Sequence, residues 1–144
     1  MKQINLLLVA LMLLSSACTA SQEGGEGLPV PSQWKLVSFG EPGAETPVVE
    51  GSSITLEFDE KGQVGGSGGC NSYGAKYETQ GDTLAIQEIT STLMACVDEQ
   101  VMEQEQQYFN ALQNAASFEI TGDSLTIGYG EGQGRLNFVK ETSG

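Results

Sequence analysis

YETQGDTLAI, residues 77–86, and FEITGDSLTI, residues 118–127, read as one piece of structure written twice. In each, an aromatic residue opens a short run, Gly-Asp interrupts it, and a second run begins with Thr or Ser followed by Leu. Gly-Asp between two such runs is a hairpin signal, because glycine takes the positive φ that a tight turn needs and aspartate bonds nearby backbone. The two stretches therefore predict two antiparallel hairpins, which need no long crossover. The same hairpin chemistry used twice accounts for the echo, and no repeat fold is inferred.

Working outward, period-two alternation recurs. In QWKLVSF (33–39), Trp34, Leu36 and Ser38 share one face, and Lys35, Val37 and Phe39 the other. SITLEF (53–58) places Ile54, Leu56 and Phe58 together, Asp59 to Gly62 is a turn, and residues 63–69 return as a strand softened by glycine. GRLNFV (134–139) closes the series with Leu136 and Phe138. One segment is helical, residues 98–115, with Asp98 as cap and Glu99 in the first turn. Val101, Met102, Tyr108, Phe109 and Leu112 form its core-facing stripe. Glu105 lies on or beside that stripe. Either its carboxylate stays at the margin in water, or it is a buried partner for Arg135 or a tyrosine. The sum is an α+β fold, mostly β: a curved antiparallel sheet or incomplete barrel of seven to eight strands, closed by one main helix.

The chain opens MKQINLLLVALMLLSSAC. A cation at Lys2, an apolar run from Leu6 to Leu14 and small residues Ser15 to Ala17 read as a signal peptide over residues 1–17. The run falls short of the ~20 residues of a spanning helix. Cys18 after the small cluster resembles a bacterial lipobox, with Ser15 at the position where leucine is usual. That implies a lipid on Cys18, and acyl chains such as palmitate hold a protein to a membrane. The alternative is ordinary cleavage near Ala17 or Ala20, giving a soluble secreted protein. Residues 18–31 are a polar, Gly- and Pro-containing tether, and residues 32–141 form one domain.

With 6 Lys+Arg against 19 Asp+Glu, the net charge is −13. Such a field repels nucleic acid and anionic lipid, so membrane residence must come from the lipid. There is no histidine, which removes the commonest general base and transition-metal ligand.

GSGGCNSYG, residues 67–75, carries the remaining chemistry. It lacks the Lys-Ser/Thr of a phosphate loop and the last glycine of a dinucleotide fingerprint. No CxxC metal site occurs, and neither metal nor cofactor is expected. Cys70 is one end of a disulfide to Cys96, an even pair in an exported domain, or a reactive thiol with Lys76 as its only nearby cation. Asn71 either serves recognition beside the disulfide or bonds a turn backbone. Tyr73 either joins it or packs with its hydroxyl satisfied.

Gly69-Cys70-Asn71-Ser72-Tyr73 resembles the Gly-Cys-Asn-x-Tyr motif of META domains, and Ser91-Thr92-Leu93-Met94-Ala95-Cys96 their Ser-Thr-x-Met-Ala-Cys motif. The helix from Glu105 to Leu112 and the Gly-Asp-x-Leu-x-Ile hairpin are similar too. The likeness covers residues 32–140. The glycine-rich 128–134 turn and the lack of a second domain depart from it. It implies a small exported or lipid-anchored domain with paired cysteines and no established catalysis. Some members, among them heat-shock lipoproteins, are linked to stress response and novobiocin resistance, others to motility or virulence.

Three functions follow as expectations. The first is a non-catalytic lipoprotein of the cell envelope, on the periplasmic face of the outer membrane if the host has two membranes, binding an envelope protein or small ligand. The second is a carrier holding an apolar ligand between sheet and helix, with aromatics from Trp34 to Phe138 lining it. The third is a cysteine-dependent enzyme using Cys70.

Overall fold

The computed structural model describes residues 27–142. The segment expected to be a signal peptide (1–17) and Cys18, the expected lipidation site, lie outside them. The described chain runs β1 (Ser32–Gly40), β2 (Thr46–Pro47), β3 (Thr55–Phe58), β4 (Gln63–Ser67), β5 (Ser72–Gln80), β6 (Thr83–Ser91), α1 (Glu99–Gln113), β7 (Ala115–Thr121), β8 (Ser124–Tyr129) and β9 (Gly134–Lys140). Each strand from β3 to β9 pairs antiparallel with its sequence neighbour, and β1 pairs with β3. The two Gly-Asp turns join β5 to β6 and β7 to β8, with Gly81 and Gly122 at φ of 61° and 59°.

The sheet is a closed barrel rather than an incomplete one. β9 pairs with β1 from Trp34↔Lys140 to Gly40↔Arg135, so eight strands form a ring and β2 is a short addition on β1. Closure satisfies the backbone of both edge strands, which an open sheet would leave unpaired. The thinnest seam is β6 against β7, paired only at Thr83↔Ser117. Those two strands are joined through α1 instead of a tight turn, so no hairpin holds them in register.

Inside the ring the alternation holds, with one reset. Trp34 and Leu36 point inward as expected, but Phe39 joins them. A bulge between Leu36 and Ser38 gives β1 an extra residue, Val37, and flips the phase of the strand beyond it. Simple alternation places Phe39 on the outer face with Val37. Trp34, Leu36, Ile54, Leu56, Phe58, Leu125, Ile127, Leu136 and Phe138 are almost fully buried. Each contributes about 1.5–3 kcal/mol of apolar burial.

The strand ends explain the place of α1. The ends of β1, β4, β6 and β8 and the starts of β3, β5, β7 and β9 share one mouth, and α1 packs against it. Asp98 caps the helix, its carboxylate accepting from the backbone N–H of Gln100 and Val101. The buried positions are Gln104, Glu105, Tyr108, Ala111 and Leu112. The stripe therefore runs one residue away from the purely apolar reading, leaving Met102 at the surface. Two polar side chains occupy its first half because the strand ends there offer backbone donors and acceptors, not apolar surface.

Candidate functional site

The β4–β5 connection crosses the plugged mouth directly under the helix. Gly68 and Gly69 let the helix come close: a Cβ on Gly68 would lie 2.6 Å from Phe109 and 2.7 Å from the Glu105 carboxylate. Gly69 has φ of 111°, a region that L side chains rarely adopt. Cys70 is next and is bonded to Cys96, with Cα atoms 6.0 Å apart, inside the usual range for a disulfide. The bridge fastens this connection to the segment between β6 and α1.

Glu105 reaches down from α1 into the connection. Its Oε2 accepts from the backbone N–H of Cys70 at 3.0 Å and of Asn71 at 2.6 Å, and its Oε1 accepts from Asn71 Nδ2 at 2.6 Å. Both expectations for this residue are therefore corrected. The carboxylate is buried rather than in water, and its partners are neither Arg135, which is exposed on β9, nor a tyrosine. Orphan N–H groups in a bent, buried connection need an acceptor, and a carboxylate with several lone pairs serves three at once.

Asn71 is the hub. Its Oδ1 accepts from the Met94 backbone N–H at 2.7 Å and from Thr92 Oγ1 at 2.8 Å. Its Nδ2 also donates to the Met94 carbonyl at 3.3 Å. The amide orientation is set by this network, because the Met94 N–H can only donate. Asn71 thus ties helix, β4–β5 connection and the 92–97 segment together. The Met94 main chain enters the network, while its side chain points to solvent.

Tyr73 packs beneath. Its hydroxyl donates to the Thr55 carbonyl at 3.0 Å and lies 2.7 Å from the Tyr108 hydroxyl. Tyr73, Tyr108 and Phe109 stack edge to face or tilted, with centroids 5.3–5.9 Å apart. Burial pushes both tyrosine pKa values well above the ordinary range; for Tyr73 the hydrogen bond from Tyr108 opposes this in part. On the far side, Gln104 accepts from the Val49 N–H at 2.6 Å and donates to Ser52 at 2.9 Å, fixing the β2–β3 loop.

The structure thus brings together Cys70, Cys96, Asn71, Tyr73, Glu105 and the Met94 backbone. Tyr108, read as a core-facing residue of the helix, belongs to the same cluster, and so do Thr92, Gln104 and Thr55, whose contacts were not singled out by sequence. Helical spacing held a signal for Gln104, which stands four residues before Tyr108 on the same face. Among the described residues, no three acidic or cysteine side chains form a group suited to a metal ion. Every buried side-chain polar atom among them has a partner.

The sequence profile of the META domain matches residues 28–143. The chain belongs to the META domain family. Among solved structures, the META barrel is similar to a protein from Burkholderia xenovorans determined by NMR, at TM-score 0.68 and 23% identity, covering 79% of this chain and 84% of that one. It is also similar to a DUF4847 family protein from Bacteroides vulgatus in a crystal structure, at TM-score 0.60 and 14% identity, covering 80% and 96%. A second NMR structure aligns at TM-score 0.59 and 18% identity over 76% and 88%. At these identities the likeness speaks for the fold. No curated protein matches the chain.

Proposed function

We propose that this META domain is a non-catalytic binding module of the cell envelope, exported and anchored through lipid on Cys18, that supports stress tolerance by engaging an envelope protein. The observation that carries the reading is how the motif side chains are engaged. Cys70 is in a disulfide and Glu105 holds three N–H donors. A nucleophile needs a free thiolate, and a general base needs an accessible lone pair beside a substrate. A disulfide also fits an oxidising compartment outside the cytosol.

The carrier reading has less support. Trp34, Phe58, Phe118 and Phe138 fill the barrel interior as core. A concavity of about 710 Å³ lies on the outer wall over Gly65, Gly66 and Gly74, not between sheet and helix.

Density fractionation of the native host tests the anchored reading. The wild-type chain is expected with the membranes and Cys18→Ser in the soluble fraction, and a deletion strain is expected to lose tolerance of envelope stress such as novobiocin. Wild-type protein in the soluble fraction, or a deletion with normal tolerance, would overturn it.

A further inference from the structure

The segment between β6 and α1 is built in an unusual way. Leu93, Met94 and Val97 are 96%, 60% and 105% exposed, on one short loop. Lone exposed apolar residues are common, but three on a six-residue segment are a patch that asks for a partner. A loose loop could fold such side chains back onto the barrel. This one is held out at several points. Thr92 N–H bonds the Ser72 carbonyl at 3.0 Å, both main-chain groups of Met94 bond Asn71, Cys96 is covalently tied to Cys70, and Asp98 caps α1. The buried network around Asn71 therefore has a product at the surface: a rigid loop displaying Leu93, Met94 and Val97 to solvent. A preordered contact loop loses little conformational entropy on binding.

The charge around it narrows the partner. No lysine or arginine stands between Lys76 and Arg135, Asp98 and Glu99 come directly after the loop, and Glu103 lies one helical turn further on. An apolar tip with exposed carboxylates beside it is complementary to an apolar pocket with a basic rim, and it is repelled by an anionic lipid surface. A second copy of this chain, at net charge −13, fits no better.

We propose that the 92–97 loop is the docking element of this protein, and that its partner is a protein presenting an apolar pocket rimmed by lysine or arginine. The assignment rests on the reading of the domain as a binding module and gives that module a surface.

The test uses the full chain in its own host, with a benzophenone amino acid placed in turn at positions 93, 97 and 139. Val139, on the barrel wall, is the control, exposed at 40%. One protein adduct is expected from positions 93 and 97, several-fold stronger than from 139, and mapped on the partner to an apolar pocket flanked by Lys or Arg. In titrations with that purified partner, Leu93→Asp and Met94→Glu are expected to weaken binding at least tenfold with unchanged melting temperature. Binding by the unaltered chain should weaken sharply toward 1 M salt, where the screening length falls to ~3 Å. Adducts to lipid or to a second copy, equal yields from all three positions, or titrations indifferent to these substitutions would overturn the proposal. A protein adduct from 139 alone refutes this surface and leaves the binding reading standing. No protein adduct from any position overturns both.

Discussion

Replacing Glu105 by Gln probes the cluster with almost no change of shape. The amide oxygen can take the place of Oε2 and keep the N–H groups of Cys70 and Asn71. Its NH2 must then face Asn71 Nδ2, donor against donor. Asn71 cannot turn over to help, because its Oδ1 is fixed by the Met94 N–H and Thr92. Leaving a buried donor unmatched costs about 1–3 kcal/mol, and two bonds to a charged acceptor become ordinary ones, each weaker by about 1 kcal/mol. The expected loss is therefore about 3–5 kcal/mol, or roughly 10–20 °C in Tm for a domain of this size. Urea unfolding followed by the single tryptophan, Trp34, with the disulfide intact, measures it. The same reasoning makes a sharper demand. Asn71→Asp alone sets two carboxylates together and should also destabilise. Combined with Glu105→Gln it restores a donor facing an acceptor, so the double variant should be more stable than the sum of the singles by at least about 1 kcal/mol. A loss under about 0.5 kcal/mol for Glu105→Gln, the ordinary range for a surface change, or strict additivity in the cycle would refute the reasoning.

Other perturbations draw on the same contacts. Reducing the Cys70–Cys96 bond, with 26 residues of separation, should lower stability by about 3–4 kcal/mol in the loop-entropy model, read as a fall in the urea midpoint. Tyr73 and Tyr108 have folded-state pKa values raised by burial, so their contribution is fully present below the unfolded tyrosine value of about 10 and declines as pH rises above it. Absorbance titration should therefore show these two of the four tyrosines ionising only together with unfolding, and Tyr73→Phe should weaken that alkaline dependence. Gly68→Ala should cost about 1–3 kcal/mol because the new methyl meets Phe109 and Glu105. Gly74→Ala, with nothing within 4 Å of its Cβ, should be neutral or stabilising by up to about 1 kcal/mol. Equal effects at the two glycines would contradict the close approach of the helix.

Much of the fold was legible because it rests on local chemistry. The Gly-Asp pairs specify their turns within four residues, and Asp98 announces the helix within one turn. Closure of the barrel was not legible. It depends on β9 meeting β1 across nearly the whole chain, and no local pattern distinguishes a paired edge from a free one. The placing of Phe39 failed for a related reason: the Val37 bulge is set by the register with β9, while alternation alone assumes an unbroken strand. At the site, the paired cysteines were readable from their even number and the expectation of export. The role of Glu105 was not, since a glutamate on an apolar stripe says nothing about three donors arriving from a connection 34 residues upstream. The bond from Thr92 to Asn71 was not legible, although Thr92 lies in a recognised motif, because a hydroxyl's partner 21 residues away leaves no local pattern.

The central claim is that GSGGCNSYG is a stapled structural clamp in an exported, anchored domain. Its most direct test is the intact mass of the natively expressed protein after thiol alkylation, with and without reduction. The account predicts an acyl adduct on Cys18 and two alkylations, at Cys70 and Cys96, that appear only after reduction. Two thiols alkylated without reduction, on a chain that carries no lipid, would contradict it and return Cys70 to the list of reactive groups.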